Sequence, residues 1–215
     1  MKIQILISKN SWANKYKDEI RNKLKDFSNN IIFLKNYNNL KKNYDLNIIF
    51  SYFKIIPKKF LSRSKINVIP HESKLPKGKG MSPLTWQILE NKKKIFFSLI
   101  GASSKIDSGV IFYQKAISFK KDLIFDEIKK IQVEENLKLI TKLIKYYNNK
   151  NKLPKGLKQS GKSSYYKKRT PADSELNIND SIKNQFNLMR VADSKNYPTF
   201  FKIHGKKFKI KIVKI

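Results

Sequence analysis

The chain has 215 residues, no cysteine and a formal net charge of +31. This length suits one fairly large domain, or a core with a small C-terminal appendage. The absence of cysteine excludes disulfides, thiolate metal sites and cysteine nucleophiles. Only four of the 47 basic residues are arginine, which favours a general lysine bias over a surface selected for nucleic acid, although a positive field also attracts anionic small molecules.

In the first half of the chain, short apolar runs alternate with helical patterns, which is typical of parallel strands joined by crossover helices. Strands are predicted at 2–8, 31–34, 46–50 and 66–69. Ser11 is a candidate cap for a helix over 12–26, and Pro57 begins a short helix. The N-terminal apolar run is too short and too strand-like for a signal peptide, and no apolar run is long enough to span a membrane. A soluble cytoplasmic protein is therefore expected.

The second half begins with a helix predicted over 82–90, followed by strands at 94–100 and 109–117 and a long amphipathic helix at 123–147. Residues 148–168 are rich in Lys, Asn, Gly and Ser and are predicted to form an exposed loop. A helix at 180–192 then precedes a hairpin of 199–203 and 207–213 that turns at His204-Gly205. These elements predict an α/β core over 1–150 with a mostly parallel sheet, and an extension over 151–215 packed on it.

One histidine stands out by its position in this pattern. His71 follows the apolar strand at 66–69 and opens a Gly/Pro loop that leads into the next helix. A strand end followed by a loop and a helix N-terminus is where open α/β sheets place ligands. Imidazole also moves protons near neutral pH, so His71 is a candidate for catalysis, with a capping role as the alternative. His204 lies in a predicted turn, where a solvated side chain is expected.

The run His71-Glu72-Ser73-Lys74-Leu75-Pro76-Lys77-Gly78-Lys79-Gly80-Met81-Ser82-Pro83 resembles the central motif of the folate-dependent formyltransferases. Ile106-Asp107-Ser108-Gly109 resembles their Asp-x-Gly segment, with Asp107 standing 36 residues after His71. Arg169–Leu176 and Tyr197–Phe201 resemble further segments of the tRNA-type and sugar-nucleotide members. Together with Asn10-Ser11-Trp12, these motifs make the sequence most similar to the formyltransferases of pseudaminic-type amino-sugar biosynthesis. The sequence is also related to the N-terminal domain of methionyl-tRNA formyltransferases.

Two other branches fit less well. Glycinamide ribonucleotide transformylases carry a Gly/Ser-rich phosphate loop after the first strand, where this chain has Ser8-Lys9-Asn10-Ser11-Trp12. Methionyl-tRNA formyltransferases carry a C-terminal barrel, which is not expected in a chain ending at Ile215. The remaining branch formylates amino groups on nucleotide-linked sugars.

The resemblance implies a Rossmann-like fold and the transfer of a formyl group from formyltetrahydrofolate to a primary amine of a nucleotide-linked amino sugar, with the 4-amino-4,6-dideoxy type favoured. His71 and Asp107 would be the catalytic pair, in which His71 moves a proton and polarises the formyl oxygen while Asp107 orients the imidazole. No metal is expected. The folate pocket would be lined by Lys54, Ile55, Ile56, Ser73, Lys74, Leu75, Pro76, Ser103, Ser104, Lys105 and Ile106.

The resemblance also suggests residues for the acceptor. Lys77 and Lys79 are candidates for binding the sugar-nucleotide diphosphate, with solvated lysines as the alternative. Trp12 is a candidate for stacking on a sugar or base, with a core aromatic on the first helix as the alternative. Neither pair of alternatives is decided by the sequence.

One position departs from the family pattern. The superfamily usually has asparagine two residues before the catalytic histidine, as a donor to the developing oxyanion, and this chain has Ile69 there. Asn67 lies four residues before His71, on the same strand face, and is not assigned this role. The competing hypotheses are an RNA-binding protein or methionyl-tRNA formyltransferase-like enzyme, a formyltetrahydrofolate hydrolase, and a non-catalytic folate binder.

Overall fold

The computed structural model describes residues 1–215 and contains ten strands and five α-helices. The strands are β1 (Lys2–Leu6), β2 (Asn30–Leu34), β3 (Tyr44–Ile49), β4 (Ser64–His71), β5 (Lys79–Gly80), β6 (Ile95–Gly101), β7 (Ile111–Ile117), β8 (Tyr165–Tyr166), β9 (Thr199–Ile203) and β10 (Lys206–Ile210). The helices are α1 (Lys17–Leu24), α2 (Lys58–Leu61), α3 (Pro83–Leu89), α4 (Phe125–Lys150) and α5 (Ile182–Arg190).

Six of the strands form the central sheet in the order β2-β1-β3-β4-β6-β7. The pairings of β1 with β2, β1 with β3, and β3 with β4 are parallel, whereas β6 pairs antiparallel with both β4 and β7. The strands β9 and β10 form the C-terminal hairpin. The predicted mostly parallel α/β fold, with its C-terminal helix and hairpin, is therefore confirmed.

Two local predictions differ from the structure. The first helix is shorter than the predicted range 12–26, because the chain from Trp12 to Tyr16 forms a 3-10 helix before α1 begins at Lys17. Ser11 caps this tight turn, with its hydroxyl accepting from the amide of Ala13. The predicted exposed loop at 148–168 is wrong in part, since α4 runs to Lys150 and β8 lies inside that range. The partner of β8 is β5, which lies far away in the sequence, so no local sequence pattern predicts this strand.

Two groups of buried apolar side chains flank the sheet. The larger joins β1, β3, β4 and β6 to α1 and α4 and holds most of the apolar surface removed from water. The smaller cluster contains five residues, from the carboxyl ends of β1 and β3, from α2 and from two loops, and Ile69 and Ala102 pack against it. Its members are Leu6, Leu40, Ile49, Ile56 and Leu61. None of the helices combines the length and the apolar character needed to cross a membrane.

Candidate active site

His71 is the last residue of β4 and is buried, with 5% of its surface exposed. Its Nε2 lies 2.9 Å from the carbonyl oxygen of Gly78. A carbonyl only accepts hydrogen bonds, so Nε2 carries the proton in this arrangement. On the other side of the ring, Nδ1 lies 3.7 Å from Oδ2 of Asp107. The imidazole therefore lies between a backbone carbonyl on the Nε2 side and a carboxylate on the Nδ1 side.

Asp107 reaches His71 from the turn that follows β6. Its backbone is left-handed, with φ +43°, and Oδ2 accepts a 2.8 Å hydrogen bond from the amide of Gly80. Two residues later, any side chain on Gly109 would overlap the carbonyl of Gly101. The turn can therefore close only with glycine at this position, which gives the Asp-x-Gly pattern a steric reason.

The loop after His71 is held by a strand from the C-terminal extension. The amide of Gly78 donates to Oγ of Ser164 and the amide of Lys79 donates to its carbonyl, both at 2.9 Å. A Cβ on Gly80, where φ is +94°, would lie 2.5 Å from the carbonyl oxygen of Tyr166. Glycine at this position thus allows β5 and β8 to approach each other, and their pairing fixes the carbonyl that faces His71.

The start of the same loop is tied to the core by buried polar contacts. Oε1 of Glu72 accepts a 2.7 Å hydrogen bond from the amide of Asn136 on α4. The carbonyl of Ser73 accepts a 2.7 Å bond from the hydroxyl of Ser98 on β6. Since each of these groups would be costly to bury without a partner, the contacts stabilise the loop in one conformation.

The predicted folate-lining residues fall into two sets. Ile56, Ser73 and Leu75 are buried, and Pro76 and Ser103 are half-buried. The other six face solvent. These are Lys54, Ile55, Lys74, Ser104, Lys105 and Ile106. Ile55 and Ile106 are 57% and 45% exposed although both are apolar. Ile56 belongs to the smaller cluster and Ala102 packs against it, so the segments 54–56 and 103–106 lie on the same side of the sheet.

The three candidates for binding the acceptor are placed differently from one another. Lys77 is exposed beside the loop. Lys79 is buried, with 5% of its surface exposed, and its ammonium donates to Oγ of Ser108 at 2.9 Å. Trp12 is half-buried and packs edge-on against Phe50. Only Lys77 therefore presents a free charge to solvent.

Ile69 and Asn67 both have structural neighbours. Ile69 packs against the smaller apolar cluster. The amide of Asn67 donates to the carbonyl oxygens of Leu61 and Ser64, and its Oδ1 accepts from Asn47. Asn67 is therefore fully engaged away from His71, and the expected oxyanion donor has no side-chain substitute on β4.

Sequence reasoning missed several residues around the site. Gln159 and Ser164 lie in the segment predicted to be an exposed loop, yet both hydrogen-bond to the site. Lys129 is buried on α4, over the ring of Trp12 at 4.5 Å. Burial lowers the pKa of Lys129 to about 8, against the attraction of Glu72. The only available signal was the position of Lys129 on the apolar face of a predicted helix.

With this geometry in place, comparison with known proteins decides the family. The model of the formyl transferase family matches residues 2–144, which include β1 to β7 and both His71 and Asp107. The chain belongs to the formyltransferase family. Members of this family use folate.

Two curated relatives share 31% identity with this formyltransferase family member. One is the bifunctional polymyxin resistance protein ArnA of Wigglesworthia glossinidia brevipalpis, matched over 80% of this chain and 27% of ArnA. The other is a methionyl-tRNA formyltransferase of Thermodesulfovibrio yellowstonii, matched over 73% of this chain and 52% of that protein. The chain thus spans about half the length of this methionyl-tRNA formyltransferase and about a quarter of ArnA.

Three solved structures share the fold. The methionyl-tRNA formyltransferase from Clostridium thermocellum matches with a TM-score of 0.79 at 21% identity, and the match covers 100% of this chain and 94% of the Clostridium chain. A 4-N formyltransferase from Francisella tularensis has a TM-score of 0.68 at 20% identity, with 100% and 99% covered. HypX from Aquifex aeolicus, solved with tetrahydrofolic acid, has a TM-score of 0.73 at 16% identity, with 96% and 36% covered. These likenesses establish the Rossmann-like formyltransferase fold.

Proposed function

We propose that the protein transfers a formyl group from formyltetrahydrofolate to a primary amine of a nucleotide-linked amino sugar, with the 4-amino-4,6-dideoxy type favoured. The observation that carries this proposal is the pairing of buried His71 with Asp107 across the loop at 78–80. These residues lie inside the segment that matches the formyltransferase family.

His71 is the residue suited to act on the formyl oxygen. Its Nε2–H now donates to Gly78, and the same N–H can donate to an oxygen that displaces this carbonyl. Asp107 faces the Nδ1 side of the ring, so its carboxylate stabilises the positive charge that the imidazole gains when it takes up a proton during the reaction. The chemical step forms a bond between the amine nitrogen and the formyl carbon and breaks the bond from that carbon to the folate nitrogen. The amine nitrogen loses one proton and the folate nitrogen gains one, and His71 is the group placed to carry a proton between them.

The residues beside the site fit a folate. When bound, the folate supplies the formyl group as an amide that an amine can attack. Ile55 and Ile106 present apolar surface to solvent on the same side of the sheet, which suits a flat ring. The hydroxyl of Ser73 is buried in the loop without a hydrogen-bond partner. Backbone groups of 103–106 and the loop at 73–76 remain our candidates for contacts with the folate.

The acceptor is the less constrained part of the proposal. Lys77 lies exposed beside the loop, where its charge can attract a diphosphate. We keep Lys79 and Trp12 as candidates only for contacts made after side-chain rearrangement, because both are packed. The solved structures that share the fold over 99% of this chain include sugar N-formyltransferases, which supports an amino-sugar acceptor.

The test is incubation with formyltetrahydrofolate and a panel of nucleotide-linked 3-amino and 4-amino sugars, with mass spectrometry to detect formylation. Asp107→Asn is the matched control, since asparagine tolerates the left-handed backbone and can still accept from Gly80. We expect product from at least one 4-amino sugar, and a fall in kcat of about 100-fold or more in the variant. Absence of product from every sugar, or full activity of D107N, would contradict the proposal.

A second candidate acceptor is methionyl-tRNA. The curated relative from Thermodesulfovibrio yellowstonii and the structure from Clostridium thermocellum are methionyl-tRNA formyltransferases, and the net charge of +31 suits a polyanion. The same assay with methionyl-tRNA distinguishes the two acceptors. Release of formate without any acceptor amine would instead indicate a hydrolase.

A further inference from the structure

The conformation of Asp107 needs support from outside its own turn. Its φ of +43° lies in the left-handed region, which is unfavourable for a residue with a side chain. Asp107 nevertheless has to hold Oδ2 near Nδ1 of His71. A strained residue at a site persists when neighbouring groups over-determine its geometry.

That support comes from Gln159. Its Nε2 donates to the carbonyl oxygen of Asp107 at 2.7 Å and to that of Gly109 at 2.9 Å. One amide group thereby clamps both ends of the Asp-x-Gly turn. Its Oε1 is buried without a hydrogen-bond partner, so the two donated bonds alone set the orientation of the amide.

Gln159 is itself anchored to the sheet. Two residues earlier, Leu157 exchanges two backbone hydrogen bonds with Ile111 at the start of β7, at 2.8 and 2.9 Å. Five residues later, Ser164 holds the loop that carries Gly78. The segment from 157 to 164 lies outside the range matched by the family model, yet it touches both the turn of Asp107 and the loop that faces His71.

We infer that Gln159 is a positioning residue for the transfer reaction, which acts by holding Asp107 against His71. The inference rests on the proposed function, because it takes Asp107 as the partner of the reacting imidazole. It assigns to the C-terminal extension a part in completing the active site.

The first test replaces the amide by a side chain of similar length without donors, Gln159→Met. Gln185→Met is the matched control, since Nε2 of Gln185 also bridges two carbonyls, those of Asn177 and Asp180, but on α5. We expect Q159M to lower kcat about 10- to 100-fold, with KM for the amine changed less than threefold. Q185M should stay within twofold of the wild type.

The second test needs no acceptor, because the chain has only two histidines and their imidazole ¹⁵N signals can be assigned. D107N should move the signals of His71, and Q159M should move them in the same direction. The signals of exposed His204 should not change in either variant. Gln159→Glu, which keeps the volume but turns carboxylate oxygens toward the two carbonyls, replaces Q159M if the latter fails to fold.

The outcomes separate the two hypotheses. Lack of transfer by the wild type, with His71 signals that shift in both variants, would overturn the proposed function and would still support the structural part of the inference, that Gln159 holds Asp107 against His71. Transfer by the wild type together with normal kcat and unchanged His71 signals in Q159M would overturn the role of Gln159. A further loss of activity by Q159M in a D107N background, as large as in the wild type, would also contradict it, because Gln159 should then act only through Asp107.

Discussion

At the scale of single residues, Ile69 is the position that separates this site from the usual family pattern. Its side chain packs against the smaller apolar cluster, which stabilises the folded protein. An asparagine at this position would instead offer an amide donor to the oxyanion. Asn67 does not compensate, since all its polar atoms have structural partners. The N–H of His71 is therefore the principal side-chain donor that β4 offers.

Replacing Ile69 by asparagine should increase turnover. The amide would restore a donor two residues before His71, and one such donor can be worth 10²–10³ in kcat in an optimised site. We expect a rise of at least about threefold in kcat, with a lower melting temperature because apolar packing is lost. Ile69→Leu, which keeps the packing and adds no donor, is the control. Unchanged or lower kcat in a folded I69N protein would show that the oxyanion is already satisfied.

The sequence motifs indicated the pair His71 and Asp107, but they did not distinguish the environments of Lys77 and Lys79. His71 and Asp107 were predicted as partners, and the structure places Nδ1 and Oδ2 3.7 Å apart. Lys77 and Lys79 were predicted together, but one is exposed and the other is buried on Ser108. Two lysines separated by a glycine in a loop have no periodic pattern that assigns one to the interior, so only packing distinguishes them.

At the scale of elements, helix α4 carries a buried lysine, Lys129, that packs against Trp12 near the start of the chain. Lys129 donates to Gln132 at 2.9 Å and lies over the rings of Trp12 and Phe125. Because burial disfavours the charged form, its pKa falls from 10.5 to about 8. Near neutral pH the helix thus carries a buried ammonium ion at a cost in stability.

Lys129→Met should change how stability depends on pH. Between pH 8 and pH 10.5 the unfolded chain binds more protons at this site than the folded protein, so the wild type gains stability as pH rises. Relative to the variant, we expect a gain of ~2–3 kcal/mol over this range, and equal or higher stability of K129M at pH 7. Urea denaturation at several pH values measures this difference.

The matched control for that experiment is Lys130→Met, on the next residue of α4, which is exposed. Its difference from the wild type should not vary with pH. A constant difference between K129M and the wild type from pH 7 to pH 10.5 would contradict the burial of a charged Lys129.

Element by element, the strands of the central sheet and helices α3 to α5 follow from their apolar periodicity, but β5 and β8 do not. Each has two residues, and their pairing depends on the glycines that let Tyr166 approach Gly80. A two-residue strand is too short to show alternation, so β8 fell within a predicted loop. The extension could therefore be predicted to exist, but its contacts with the site could not.

At the scale of the whole molecule, charge repulsion opposes folding. There are 47 basic and 16 acidic residues, so most cations have no anionic partner. Exposed ion pairs such as Lys15 with Asp126 contribute little stability. The compact state concentrates this excess of positive charge.

Added salt should therefore stabilise the protein. Raising KCl from about 10 mM to about 300 mM shortens the Debye length from ~30 Å to less than ~8 Å, and we expect the free energy of unfolding in urea to rise by about 1 kcal/mol. Urea is uncharged and leaves the ionic strength unchanged. A fall in stability with salt would show that ion pairs outweigh repulsion.

The sequence by itself determined the order of the main elements and the mostly parallel sheet, because apolar periodicity is a short-range property. The expectation that His71 and Asp107 act together came from the resemblance of their motifs to the formyltransferases. Only the tertiary structure decided that Gln159 clamps the turn of Asp107, that Ser164 holds the loop of Gly78, and that Lys79 is buried. These contacts join residues 29 to 86 positions apart. They depend on how the whole chain packs, and no local pattern encodes them.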